Sequence, residues 1–222
     1  MRSTARELID DPIESSHDLE LNFRDIEYAN RWFGGIAPVR RAVRRHRPAT
    51  LLDIGSGSAD IPRALIADAR TRNAELRITC TDVNDRLLEI ARARSGGIQG
   101  LKFERADGTA LPYADDAFEM VTCNLALHHF DPPAAIALLR EMRRVARRLP
   151  WVCDLRRTAH GFVGAWLWTR LWACSKLTRH DGPLSVRRAY TPKEALELAA
   201  QAGWRRPAAV RLPFSRMALY DA

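Results

Sequence analysis

The feature that most constrains this chain is Leu51-Leu52-Asp53-Ile54 running straight into Gly55-Ser56-Gly57-Ser58. A compact apolar strand stopped by two glycines, with a helix from about Asp60 that tolerates Pro62 in its first turn, reads as the opening strand–turn–helix of an α/β domain. The pattern then repeats. Strand-like segments fall at Leu76–Thr81, Leu101–Ala106, Phe118–Cys123 and Trp151–Asp154, and helical ones at Asp85–Ala93 and Pro132–Arg147, the last capped by Asp131. Such alternation predicts a parallel sheet with helices on both faces. Ligands of such sheets bind beyond the carboxyl ends of the strands. Here those ends carry Asp53, Gly55 and Gly57, then Asp82, Asp107, Asn124 and Asp154. Five consecutive strands ending in small or acidic residues predict a site.

The charges narrow the ligand. A dinucleotide site favours glycine at position 60, where this chain has Asp60. A carboxylate there repels a pyrophosphate but not a ligand bearing an ammonium and a sulfonium, which points to S-adenosylmethionine (SAM). Asp82 is placed to accept from both ribose hydroxyls, and Asp107, followed by Gly108, from an adenine amine. Each aspartate taken singly could equally be a cap or turn residue.

These residues resemble those of the class I SAM-dependent methyltransferases, in the small-molecule branch that includes the ubiquinone/menaquinone enzymes. Leu51–Gly57 looks like their first motif, Thr81-Asp82-Val83-Asn84 like their ribose-binding strand end, and Ala106–Val121 with Asn124–Phe130 like their next conserved stretch. The resemblance covers about residues 48 to 150. It implies a Rossmann-like α/β fold with a mostly parallel seven-stranded sheet and helical lid elements. It also implies SAM as cofactor and S-adenosylhomocysteine as product. Asp53, Gly55, Ser56, Gly57, Asp60, Asp82, Val83, Asp107, Gly108 and Asn124 then form the cofactor side. There are two departures. Ala59 stands where a third glycine is usual, and the usual Pro-Gly-Gly turn before the fifth strand is missing, because Arg147-Arg148-Leu149-Pro150 runs into Trp151. Upstream, Tyr28-Ala29-Asn30 with Gly34-Gly35 is similar to the family's cofactor-closing helix.

The remainder is organised around this domain. Residues 1–47 read as an arm, loose to about residue 18, followed by two short cap helices broken at Gly34-Gly35 and Pro38. Residues 48–222 read as the SAM-binding domain, with a substrate-pocket insertion around 155–190. A last helix opens at Thr191-Pro192-Lys193-Glu194, and residues 208–212 and 215–220 read as a closing antiparallel pair.

The acceptor is read from what is left. His128, His129 and His180 are candidate bases, with Asp181 beside the last; the double histidine could instead simply cap the helix at Pro132. Trp168 and Trp172 lie one helical turn apart and suit a flat hydrophobic molecule. They equally suit a core helix or a membrane interface, and peripheral membrane contact stays open as a partner. Arg187 or Arg188 could meet an acidic group. The expected partner is a small-molecule acceptor, O-methylated as a phenolic or polyketide product; C-methylation of a quinone precursor, RNA methylation and non-catalytic SAM binding are the alternatives. Asp131-Pro132-Pro133-Ala134 lies too late, and lacks the aromatic, for a nucleic-acid amino-methylating motif. The net charge of +8 comes almost wholly from arginine, as only Lys102, Lys176 and Lys193 are lysine, and is read as compositional bias. Four cysteines without CxxC spacing give reduced core thiols, a cytoplasmic expectation and no metal site.

Overall fold

The computed structural model describes residues 1–10 and 15–222. Its sheet contains β1 (Thr50–Ile54), β2 (Arg77–Asp82), β3 (Leu101–Arg105), β4 (Phe118–Asn124), β5 (Ala146–Leu155), β6 (Pro207–Leu212) and β7 (Arg216–Asp221). The order is β3-β2-β1-β4-β5-β7-β6. β1 to β5 are parallel, and β7 inserts antiparallel between β5 and β6. Strand order reverses between β1 and β4, which opens the crevice where the sequence placed its site.

Helices α1 (Ser16–Trp32), α2 (Ala37–His46), α3 (Asp60–Thr71), α4 (Asp85–Ser95), α5 (Pro132–Val145), α6 (Ala159–Leu171), α7 (Lys176–Arg188) and α8 (Pro192–Gln201) complete the fold. On one face Leu138, Leu139, Met142 and Val145 of α5 join Ala195 and Leu198 of α8 in a core with Val121 and Val152. On the other, Val39 and Val43 of α2 and Ile61, Leu65 and Ile66 of α3 pack with Leu51, Ile78 and Met120. Apolar spacing along each helix explains which side it buries. Helices α1, α6 and α7 instead pack on one another over the strand ends.

Four local features differ from the sequence reading or lie outside it. The absence of a Pro-Gly-Gly turn lets α5 pass directly into β5, which starts at Ala146 rather than Trp151; the surplus residues are absorbed as a register irregularity opposite Phe118–Met120. Pro38 does not break a helix, because it occupies the first turn of α2, where its missing N–H has no partner to lose. Helix α7 runs through Gly182-Pro183. A Cβ on Gly182 would lie 2.7 Å from Thr169 of α6, so the glycine allows this close crossing.

The fourth difference is the arm. Residues 1–10 are not loose: they are stitched to α7 and to the loop after β4. Leu8 and Ile9 donate their backbone N–H groups to Asp181, Ser3 donates to the Arg187 carbonyl, and Arg2 donates to the carbonyls of His128 and Phe130 at 2.9 and 2.7 Å. A polar segment was read as loose, yet many of its polar groups bond to protein, while Glu7 Oε1 is buried with no hydrogen-bond partner among the described residues. Gly57, Ala59 and Gly55 all have positive φ (50°, 57° and 68°). Ala59 thus adopts the left-handed conformation that glycine normally supplies.

Candidate active site

The ends of β1, β2, β4 and β5, the loop after β3, α1, α6, α7 and the Phe214–Arg216 turn enclose a cavity of about 1190 Å³. On its β1–β3 side, Asp53 is fully occupied. Its carboxylate accepts from Ser56 Oγ at 2.8 Å, Thr122 Oγ1 at 2.7 Å and Asn124 Nδ2 at 2.8 Å. Burial pushes it up to about 6, despite those three hydrogen bonds. Asp53 therefore braces the ends of β1 and β4 and shapes the glycine turn. A Cβ on Gly55 would come within 2.9 Å of Ala126.

Asp82 accepts from the backbone N–H of Gly57 and of Asn84, each at 3.1 Å, which ties the second strand end to the turn. Burial raises its carboxyl above the usual range. Asp107 accepts from Thr109 N–H and Oγ1 at 2.8 and 2.7 Å. Val83, exposed, lies between Asp82 and Asn84 on the cavity rim. Gly108 is required for packing as well, because a Cβ there would meet Ile54 and Leu138 at 2.8 and 2.9 Å. All ten residues assigned from the sequence to the cofactor side line this one cavity.

On the β4–β5 side, His128 is buried in the wall. Its Nδ1 lies 2.7 Å from Asp154 Oδ1, and its backbone N–H donates to Asp154 Oδ2 at 2.9 Å. With Nδ1–H on a carboxylate, the lone pair is left on Nε2. Burial pulls the imidazole down, but the Asp154 charge and hydrogen bond outweigh it, and His128 is raised above the usual histidine range. Asp154 is held low by the same pair: burial pushes it up, and the His128 charge overcomes this. His129 pairs with Asp10 through Nδ1 at 2.8 Å. Glu7 faces both Nε2 atoms at 3.8 Å, and Arg188 Nε lies 3.6 Å from the same carboxylate.

Other expected residues fall differently. His180 does bond its neighbour Asp181, at 2.7 Å, yet its ring is half exposed and off the cavity wall, so the geometry does not bring it to the other two histidines. Arg187 is exposed and outside the cavity; Arg188, one residue on, turns inward to Glu7 and Asp10. Helix periodicity decides between them. Trp168 lines the wall, stacked on Tyr28 at 6.4 Å and edge-on to Phe33 at 5.8 Å. Trp172 sits at the mouth, 63% exposed.

The sequence assigned no role to four residues. Glu7 and Asp10 come from the arm, which carries no motif. Asp154 was noted as a strand end without a role, although its register beside β4 puts it next to the loop bearing His128. Arg216 is 4% exposed, donates to the Phe33 carbonyl, and has no hydrogen-bond partner at Nη1. Asn30 links it to Asp60: its Oδ1 lies 3.4 Å from Arg216 Nη2, and its Nδ2 donates to Asp60 at 3.0 Å. A buried cation and a half-buried carboxylate thus flank one amide beside the glycine turn.

A sheet of this order, closed by an antiparallel hairpin and carrying acidic strand ends around a switch-point cavity, is the architecture of the class I SAM-dependent methyltransferases. Residues 51–148 match the family model described as a methyltransferase domain, and this match together with the fold supports that class. It is 35% identical over 144 residues to a malonyl-[acyl-carrier protein] O-methyltransferase of Halorhodospira halophila, covering 63% of this chain and 45% of that protein. It is 29% identical over 118 residues to a ubiquinone/menaquinone biosynthesis C-methyltransferase of Rickettsia massiliae, covering 51% and 47%. The matches span about half the length of these curated relatives. A SAM-dependent methyltransferase from Aquifex aeolicus superposes with a TM-score of 0.66 at 15% identity, over 91% of this chain and 96% of that one. SAM is the family's cofactor, and the residues here suit it. Asn124 and Arg216 line the cavity, and Asn124 Oδ1 and Arg216 Nη1 are buried with no hydrogen-bond partner among the described residues, which leaves polar capacity beside the cavity for a ligand to satisfy.

Proposed function

We propose that this chain is a methyltransferase acting on a small, flat, hydrophobic phenol, with O-methylation as the reaction and His128 as the base. The observation that carries the reading is the buried His128–Asp154 pair in the same cavity as the strand-end carboxylates and the glycine turn. Asp82 would hold the ribose, Asp107 with Gly108 and Val83 the adenine, and Asp60 with Arg216 the ammonium and carboxylate of the amino-acid end. Bound there, SAM supplies a methyl group on a sulfonium, whose transfer to the acceptor oxygen leaves S-adenosylhomocysteine.

The chain's own groups do the rest. Asp154 fixes the His128 tautomer, so that Nε2 can take the phenolic proton. The charge that then develops on the imidazole is stabilised by the adjacent carboxylate. Residues 155–190 supply the acceptor side, where Trp168 and Phe33 give flat apolar walls that keep water off the nucleophile. His129, paired with Asp10 and half-buried against the arm, would hold the arm closed rather than act on substrate.

Ring C-methylation of a quinol-type precursor is the second reading, favoured by the similarity to C-methyltransferases. The same base would serve it, because removing a phenolic proton makes the adjacent ring carbon nucleophilic. Incubation with SAM and a panel of phenols and quinols, read by mass spectrometry, tests both: an O-methyl product supports the first and a ring-methyl product the second. Methylation of structured RNA while every phenol and quinol stays inert would overturn both, as would cofactor binding without turnover of any acceptor.

A further inference from the structure

Helix α6 is apolar on nearly every side, with Phe162, Val163, Trp166, Leu167, Trp168 and Leu171, yet its only fully buried residue is Thr169. A helix of that composition is normally enclosed by protein or lipid. Here Leu171 is 65% exposed, and Val163, Trp166 and Leu167 are exposed on the same helix. The apolar surface continues onto α1, where Trp32 is 59% exposed and Tyr28 contacts both Trp32 and Trp168. Trp172 and Phe214, both exposed, connect it to the cavity mouth. Contiguous apolar patches of this kind mark contact surfaces.

The charges around the patch select the occupant. Between Asp154 and Asp181 the chain has no acidic residue, and Arg170, Lys176 and Arg179 are exposed there. Arg24 and Arg31, exposed on α1, share the groove lined by Tyr28, Trp32 and Trp172. The carboxylates of that groove are engaged within the protein: Glu27 with Arg63, Asp25 with the backbone of Cys174 and Ser175, and Asp60 with Asn30. Tryptophans beside arginines match a lipid headgroup boundary, where indoles settle and cations meet anionic lipid. We propose that the outer faces of α1 and α6 seat on an anionic bilayer surface, with the cavity mouth at headgroup level. An acceptor dissolved in the bilayer would then enter without crossing water. The proposal takes from the preceding reading only that the acceptor is hydrophobic.

Co-sedimentation of the full chain with phosphatidylcholine vesicles, with and without phosphatidylglycerol, tests it. Binding to the anionic vesicles, weakened by salt and accompanied by a blue shift of tryptophan emission, is the expected result. A Trp166→Ser/Leu171→Ser variant, altered outside the cavity, should bind at least about tenfold more weakly, since two apolar side chains no longer leave water. Its affinity for S-adenosylhomocysteine should not change. Arg170→Glu, at an exposed position, should weaken binding to anionic vesicles alone. Absence of vesicle binding by the wild-type chain would overturn the proposal. So would a concentration-dependent dimer in light scattering that the double variant abolishes, because a second copy would then cover the face. Vesicle binding is read without turnover, so an enzyme that binds vesicles but ignores phenols and quinols would sink the functional reading and leave this one standing.

Discussion

Asp154 grips His128 at two points, one carboxylate oxygen on the ring Nδ1 and the other on the same residue's backbone N–H. The ring is therefore fixed in both position and tautomer. Asp154→Asn should lower turnover of a phenolic acceptor while leaving affinity for S-adenosylhomocysteine within about twofold, because the lost charge-assisted bond lies on the β5 side and not at Asp82 or Asp107. It should also move the acidic limb of the rate profile to lower pH, since the charge that raises His128 is gone. The sign for stability follows from the same shift. A histidine raised in the folded state stabilises fully below its unfolded value, near 6.5, and that contribution is lost as pH rises through the folded value. Thermal melts from about pH 6 upward should show this loss in the wild type and little of it in Asp154→Asn. Identical rate profiles for the two proteins would remove His128 as the base.

Asp82→Ala should weaken cofactor binding far more than Asp115→Ala. Asp82 sits on the cavity wall and braces Gly57, whereas Asp115 is exposed and pairs only with Arg144. Losing a charge-assisted contact costs on the order of 1.5–3 kcal/mol. Calorimetry with S-adenosylhomocysteine checks this, and equal dissociation constants would take Asp82 out of the site.

Arg216→Gln should weaken binding of S-adenosylhomocysteine but not of 5′-methylthioadenosine, which lacks the amino-acid end. A buried guanidinium beside Asp60, unpartnered at Nη1, is costly without an anion. The unliganded melting temperature should fall little, because the variant also removes that cost. If both ligands weaken equally, Arg216 supports the site only through packing.

Trp168→Ala should raise the apparent KM for a hydrophobic acceptor at least about fivefold, through the lost ring contact area, and leave cofactor affinity nearly unchanged. Acceptor titration at saturating SAM measures it. A fall in kcat with KM constant would mean that the indole orders the helices rather than the acceptor.

The sequence by itself determined what repeats along a strand and its turn. Apolar runs ending in Asp53, Asp82 and Asp107, with glycines at 55 and 57, dictate a parallel sheet and a site at its carboxyl edge, because local periodicity and turn chemistry are written in adjacent residues. It also placed the closing hairpin and the helix starts at Asp131 and Thr191. Tertiary structure decided what depends on distant segments meeting. Only the β4–β5 register joins His128 to Asp154, and only docking of residues 1–10 brings Glu7 and Asp10 to the double histidine. His180, a candidate base ranked after the double histidine, was separated from it by the turn of α7. Arg216 was indistinguishable among the chain's arginines until the fold buried it. A side chain's charge is legible in sequence; its burial and its partner are properties of the packed chain.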